Sequence, residues 1–243
     1  MLDYTKIMTG SAIAAAIVIF ALFDSFFLTF LLFVLLLALA LQEALKLFGT
    51  QSSLLLWASC AIALIGVARG ADPLYLWAFL ALAFLSFLAY AQGDFKKLLP
   101  FCYPALPVLC ALSLYEQQGM FYLFWAVFVA ALCDVFAYFG GKLYGQRKFC
   151  DTSPNKTLEG LLAGVLMATI FGTLYGCFEQ SFLHSLKLSL LMSVAAVFGD
   201  LVESWFKRLA GVKDSGDLFP GHGGVLDRVD AFLFSAAILF LFL

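Results

Sequence analysis

A chain of 243 residues that is 64% hydrophobic and 12% charged, with a mean hydropathy of +1.00, cannot hide its apolar side chains in a water-soluble core. Soluble domains carry about 25% charged residues, so the composition excludes the soluble globular classes and makes lipid the solvent. The net charge of −2 says little about partners, because in a membrane protein the placement of charge decides. The six cysteines (Cys60, Cys102, Cys110, Cys133, Cys150, Cys177) form no C-x-x-C pair, and free thiols are expected. Met1–Lys6 lacks the basic n-region and small-residue cleavage site of a removable signal, so the first apolar run is expected to stay in the membrane.

A spanning helix needs roughly 20 apolar residues, within a range of about 17–25. Runs of this order lie at Ile7–Phe23, Phe26–Leu47, Ser53–Val67, Leu74–Tyr90, Leu98–Leu114, Met120–Phe139, Leu158–Phe178, Leu186–Leu209 and Leu226–Leu243. They predict nine spans. Eight is the fallback, because Asp24 alone separates the first two runs and Ser53–Val67 is short. No stretch alternates as barrel strands do. The expected fold is all-α, a polytopic integral membrane protein: residues 1–118 form N-terminal helices and residues 119–243 a catalytic region, in one continuous membrane domain.

With nine spans and the N-terminus inside, Lys6, Lys46, Lys96, Lys97, Lys142, Arg147, Lys148, Lys156, Lys207, Arg208, Lys213 and Arg228 fall on the cytoplasmic side. Only Arg69 and Lys187 fall opposite. The two long polar loops, Gly140–Thr157 and Leu209–Leu226, then share the cytoplasmic face, and a single site between them is the economical reading.

Asp200, Glu203, Ser204 and Lys207 sit at i, i+3, i+4 and i+7 of the eighth predicted span, on one helical face. Ionisable groups within a span cost roughly 2.5–3.5 kcal/mol each at the bilayer centre, so this stripe must face water, a cation or opposite charge. An interior ion pair with Lys207 or Arg208 is the plainer alternative. Asp227 and Asp230 repeat the i, i+3 pair at the start of the ninth predicted span, where the helix dipole also favours carboxylates. Two such pairs at neighbouring helix ends suit a hard cation such as Mg²⁺, which prefers carboxylate and phosphate oxygens. Lys207, Arg208, Lys213, His222, Arg228 and the open backbone of Gly221, Gly223 and Gly224 could bind the phosphates. Alone, the glycines would signify only a tight turn. Gly160, Gly164, Gly172 and Gly176 form a small-residue stripe for close packing within the chain, with a homodimer seam as its second use. His184 is expected to be solvated in a short outer loop.

The run Ser204-x-x-Lys207-Arg208-x₄-Lys213-Asp214-x-Gly216-x-x-Phe219-Pro220-x-His222-Gly223-Gly224-x-x-Asp227-Arg228-x-Asp230 resembles the signature of the phosphatidate cytidylyltransferases, or CDP-diacylglycerol synthases. Upstream, Asp134-x-x-Ala137-Tyr138-x-x-Gly141-Lys142-x-x-Gly145, Ser153-Pro154-Asn155-Lys156-Thr157-x-Glu159-Gly160 and Gly199-Asp200-x-x-Glu203-Ser204 are similar to the same family. The resemblance covers roughly the C-terminal half. The N-terminal half matches only in being apolar helices.

The resemblance implies that CTP and phosphatidic acid give CDP-diacylglycerol and pyrophosphate, in phospholipid biosynthesis at the inner (plasma) membrane. It further implies a two-cation centre, Mg²⁺ with a second ion that could be monovalent, held by Asp200 and Asp227, with Asp230 and Glu203 as further ligands. Lys156, Lys207, Arg208, Lys213 and Arg228 are assigned to the triphosphate and the lipid phosphate, undivided. Asn155, Ser204, Asp214, Gly223 and Gly224 join them around substrate. His222 either donates to a phosphate or locks the loop. Asp134, with Tyr138 one turn later, either reaches nucleotide or makes an interhelical contact. The bilayer is the expected partner besides the substrates, and nucleic acid is not expected. The rivals are a CTP-dependent polyprenol or lipid kinase, which would move the γ-phosphoryl group, and an ion-coupled transporter, for which the chain lacks an internal repeat.

Overall fold

The computed structural model describes residue 15 and residues 18–218 and 223–243. Residues 18–23 are helical. Eight α-helices follow: α1 (Phe26–Leu47), α2 (Leu54–Val67), α3 (Pro73–Tyr90), α4 (Leu106–Gln118), α5 (Met120–Tyr144), α6 (Leu158–Gly176), α7 (Phe182–Leu209) and α8 (Leu226–Phe242). A 3₁₀ turn at Phe95–Leu98 and a π turn at Phe101–Ala105 lead into α4. Among the described residues there is no strand, and Lys148 and Thr157 form an isolated bridge.

The protein is multi-pass, but the expected tally of nine spans does not follow from its helices. Among the described residues six stretches are long and apolar enough to cross: Phe26–Leu47, Pro73–Tyr90, Phe95–Gln118, Met120–Tyr144, Leu158–Gly176 and Phe182–Leu209. At 1.5 Å per residue α2 is about 21 Å long, short of a hydrocarbon core of about 30 Å. The 17 residues of α8 include Asp227, Arg228 and Asp230 in their first turns. The first predicted span, Ile7–Phe23, lies largely outside the described residues.

Side-chain caps set three of the eight helix starts, those of α2, α3 and α6. Ser53 Oγ accepts from Leu56 N at 3.2 Å, and Asp72 Oδ1 accepts from Leu74 N at 2.9 Å with Pro73 following. Two boundaries differ from expectation because packing overrides propensity. Helix α5 runs on through Gly140 and Gly141 to Tyr144, since those glycines sit against α6: a Cβ on Gly140 would fall 2.5 Å from that of Ala163. Helix α7 begins at Phe182, so His184 lies in its first turn, half-buried, rather than in an outer loop.

Helix α4 is central. In its span 78% of the most apolar window is buried, against 28–44% in the other five. Helices α5, α6 and α7 form a slab packed at backbone distance. A Cβ on Gly160 would lie 2.6 Å from Ala137 O, one on Gly164 2.6 Å from Cys133 O, and one on Gly172 2.8 Å from Ser189 Oγ. From α7, Ser185, Ser189 and Ser193 point inward at four-residue spacing with no exposure. The glycine stripe is thus filled by the chain's own helices and leaves no seam there for a second copy. All six cysteines are free.

Candidate active site

The chemistry gathers where the ends of α1, α5 and α7 meet the starts of α6 and α8. The face predicted on α7 is present: Ser204 Oγ donates to Asp200 Oδ1 at 3.2 Å. Lys156 reaches the other oxygen of Asp200 from the loop before α6. That loop is fixed by Phe149 N donating to Lys156 O (2.9 Å) and Leu158 N to Arg147 O (3.0 Å). Glu159 Oε2 accepts from Gln146 N and Arg147 N, and Thr157 Oγ1 caps α6 by accepting from Gly160 N at 3.2 Å. The carboxylate and hydroxyl thereby aim Lys156 at α7.

Lys207, one turn beyond Glu203, joins α7 to α8. Its Nζ donates to Asp227 Oδ1 at 2.6 Å and lies 2.5 Å from Glu203 Oε2. The second contact is close but not aligned as a hydrogen bond. Both oxygens of Glu203, a residue with no exposure, have no hydrogen-bond partner. Asp227 Oδ2 accepts from Ser215 N, Ser215 Oγ and Gly224 N, each at 2.8 Å, a small nest that favours its anionic form. Gly223 makes the nest possible. Its φ is +79°, and a Cβ there would fall 2.5 Å from Asp227 Oδ2.

Asp230 is buried, with Oδ1 accepting from Ala231 N at 2.8 Å, and stands within electrostatic reach of Asp200, Glu203 and Asp134. Gly199 brings it there, because a Cβ on that residue would lie 2.5 Å from Asp230 O and force α7 from α8. Asp200 takes the ammonium of Lys156, Glu203 and Asp227 share that of Lys207, and Asp230 stands beside them without a lysine, which leaves acid in excess. The donors are hard oxygens, and Glu203 has Lys207 as a charge partner but no hydrogen bond. In donor type they fit a hard divalent cation. Among the described residues no three acids, histidines or cysteines yet converge as a closed ligand set.

Two cavities flank this centre. One of about 460 Å³ is lined by Asp134, Tyr138, Lys142, Asn155, Lys156 and Asp200, and so unites the upstream residues singled out in the sequence. The other, of about 410 Å³, is lined by apolar residues from the helical segment 18–23, α1, α5 and α8, with Arg228 as its one charge. Arg208 stands apart from the carboxylates. Its Nε donates to Thr152 O (3.4 Å) and Nη1 to Val212 O (3.3 Å), tying the two loops together rather than reaching the carboxylates. Lys213 and Asp214 are exposed on the second loop. His222, with Phe219, Pro220 and Gly221, lies outside the described residues.

Two residues of the N-terminal half were missed. Glu43, buried at the end of α1, accepts from Val225 N and Leu226 N, each at 2.8 Å, and from Ser215 Oγ at 3.0 Å. Tyr103 is wedged between Phe206 and Phe234 with a buried, unpartnered hydroxyl within electrostatic reach of Asp230, Glu203, Asp227 and Asp200. A carboxylate inside an apolar run was a usable signal for Glu43. Nothing in the sequence marked Tyr103 among so many aromatics.

Fold and site together define a polytopic helical membrane protein with an acid-rich, lysine-bridged centre set between a polar and an apolar cavity. A sequence model of the cytidylyltransferase family matches residues 4–243, and the chain belongs to that family. It is 38% identical over 205 residues to the phosphatidate cytidylyltransferase of Helicobacter pylori strain J99, covering 83% of this chain and 77% of that protein. It is 41% identical over 132 residues to the Bacillus subtilis phosphatidate cytidylyltransferase, covering 53% and 49%. Phosphatidate cytidylyltransferase 4, chloroplastic, of Arabidopsis thaliana is 42% identical over 113 residues, covering 45% and 29%.

Proposed function

We propose that this chain is a CTP:phosphatidate cytidylyltransferase, a nucleotidyltransferase that makes CDP-diacylglycerol and pyrophosphate for phospholipid synthesis. The observation that carries the reading, beside family membership, is the pairing of a polar cavity ending on Lys156 and Asp200 with an apolar cavity ending on Arg228. A water-soluble triphosphate suits the first and a lipid tail the second.

A phosphate oxygen of phosphatidate forms a bond to the α-phosphorus of CTP while the bond from that phosphorus to the α–β bridging oxygen breaks. The electron pair leaves with pyrophosphate. Such transfers depend on positioning and on neutralising charge at both ends of the phosphorus in flight. Lys156 and Lys207, now held by carboxylates, are the cations at hand for the triphosphate, and Arg228, lining the apolar cavity, would meet the lipid phosphate. Asn155 and Tyr138 line the cavity for the remainder of the nucleotide. Asp200, Asp227, Asp230 and Glu203 would hold Mg²⁺ and a second cation, which supply Lewis-acid neutralisation of the phosphate oxygens when bound. The basic loops support a cytoplasmic site and an inside N-terminus.

Purified protein given phosphatidate and CTP labelled at the α-phosphorus is expected to carry label into lipid, while γ label goes to soluble pyrophosphate. A lipid kinase would send γ label to lipid and leave α label in soluble CDP, and that pattern would overturn the reading.

A further inference from the structure

The geometry points to Glu43 as a positioning residue for Asp227, the proposed cation ligand, latching α8 and the loop before it to the N-terminal helices. Glu43 comes from α1, 172–183 residues away from the groups it binds, and is 7% exposed. Its two oxygens take the first free N–H groups of α8, those of Val225 and Leu226. A carboxylate there meets both the unsatisfied donors and the positive end of the helix dipole, in an interior where neither can be met by water. The loop is shaped to admit it. A Cβ on Gly224 would fall 2.5 Å from either Glu43 oxygen, and one on Gly216 2.5 Å from Oε1.

Ser215 connects this latch to the chemistry. Its hydroxyl lies 3.0 Å from Glu43 Oε2 and 2.8 Å from Asp227 Oδ2, while its backbone N–H also donates to Asp227. A hydroxyl has one hydrogen, so the two carboxylates compete for it. A change at Glu43 is therefore felt at Asp227 through Ser215 as well as through the helix start. Glu43 touches neither cavity, so it acts on the position of Asp227 and not on substrate.

The kinetic arm of the test rests on the cytidylyltransferase reading, and the labelling arm does not. In Glu43→Gln one oxygen becomes an amide NH₂ facing backbone or hydroxyl donors, with side-chain shape retained. The folded, monodisperse fraction is expected to lose kcat on the order of 10- to 100-fold, with KM for CTP and phosphatidate little changed. Ser215→Ala should lower kcat too, and the double variant should lose much less than the product of the single losses, because both act on one linkage. In a background without native cysteines, a cysteine at Leu218 should react faster with a hydrophilic maleimide when Glu43 is Gln. If Glu43 only helped the protein fold, yield would drop while the folded fraction kept its kcat. That result, multiplicative losses in the double variant, or an unchanged labelling rate would each overturn the assignment. Should the wild type make no CDP-diacylglycerol, the functional reading falls and the labelling rate alone decides Glu43.

Discussion

Lys207→Met removes the ammonium between Glu203 and Asp227 while keeping a long side chain of similar reach. The three side chains are 12%, 0% and 5% exposed, so water can replace little of what is lost. Asp227 retains the donors from Ser215 and Gly224, and the burden falls on Glu203, whose oxygens have no other partner. Removing one member of a buried pair costs about 3–5 kcal/mol, mainly because an uncompensated charge stays behind. The unfolding free energy in mixed micelles should therefore drop by about that amount. Replacing both, as Glu203→Leu with Lys207→Met, eliminates the stranded charge and should restore stability to within about 1 kcal/mol of wild type. Transfer of α label to lipid should be lost in both variants, separating the fold's need for charge balance from the reaction's need for the charges. A single variant less than about 1 kcal/mol below wild type, or a double variant no more stable than the single, would refute this account of the pair.

Asp200→Asn and Asp227→Asn should each leave a folded, membrane-inserted protein whose turnover is down by orders of magnitude, and near-normal rates at saturating Mg²⁺ would remove these residues from the cation site. Gly160→Val should cost about 1–3 kcal/mol, because its Cβ would meet Ala137 O and the Gly141 backbone. The same substitution should raise the KM for CTP by spreading α5 from α6 and widening the cavity that holds Asp134 and Lys156. In protein free of native cysteines, a cysteine at Gln146 should react with impermeant reagents from the cytoplasmic side only, and one at Gln117 from the opposite side only. The reverse pattern would invert the topology.

Charges stand out in an oily sequence, which is why the α7 face and the start of α8 were legible before any coordinates. The i, i+3, i+4, i+7 spacing of Asp200, Glu203, Ser204 and Lys207 survives because an α-helix leaves it no alternative. The same rule sets Arg208 off that face: next to Lys207 in sequence, it is rotated by about 100° around the helix and bonds to the other loop. Glu43 was visible as an acid within a span, yet its partners are two backbone amides and a serine, and backbone amides leave no mark in a sequence. The extension of α5 through Gly140 and Gly141 was illegible for a related reason. Glycine pairs read as breakers on propensity, and only contact with Ala163 and Gly160 turns them into a packing surface.

The burial of α4, together with the grip of α1 on α8, bears on how such a protein can be rebuilt or inherited. The residues that resemble a signature lie almost wholly after position 118, which invites treating that half as a transplantable cassette. Excising it would expose the apolar flanks of α5 and α8 that α4 now covers, and leave the amides of Val225 and Leu226 without their acceptor. Swapping the first 118 residues with those of a relative should succeed only when the donor brings a carboxylate at the position of Glu43 and a helix to fill the place of α4. Recombination within the family is accordingly constrained by a segment that carries none of the signature residues.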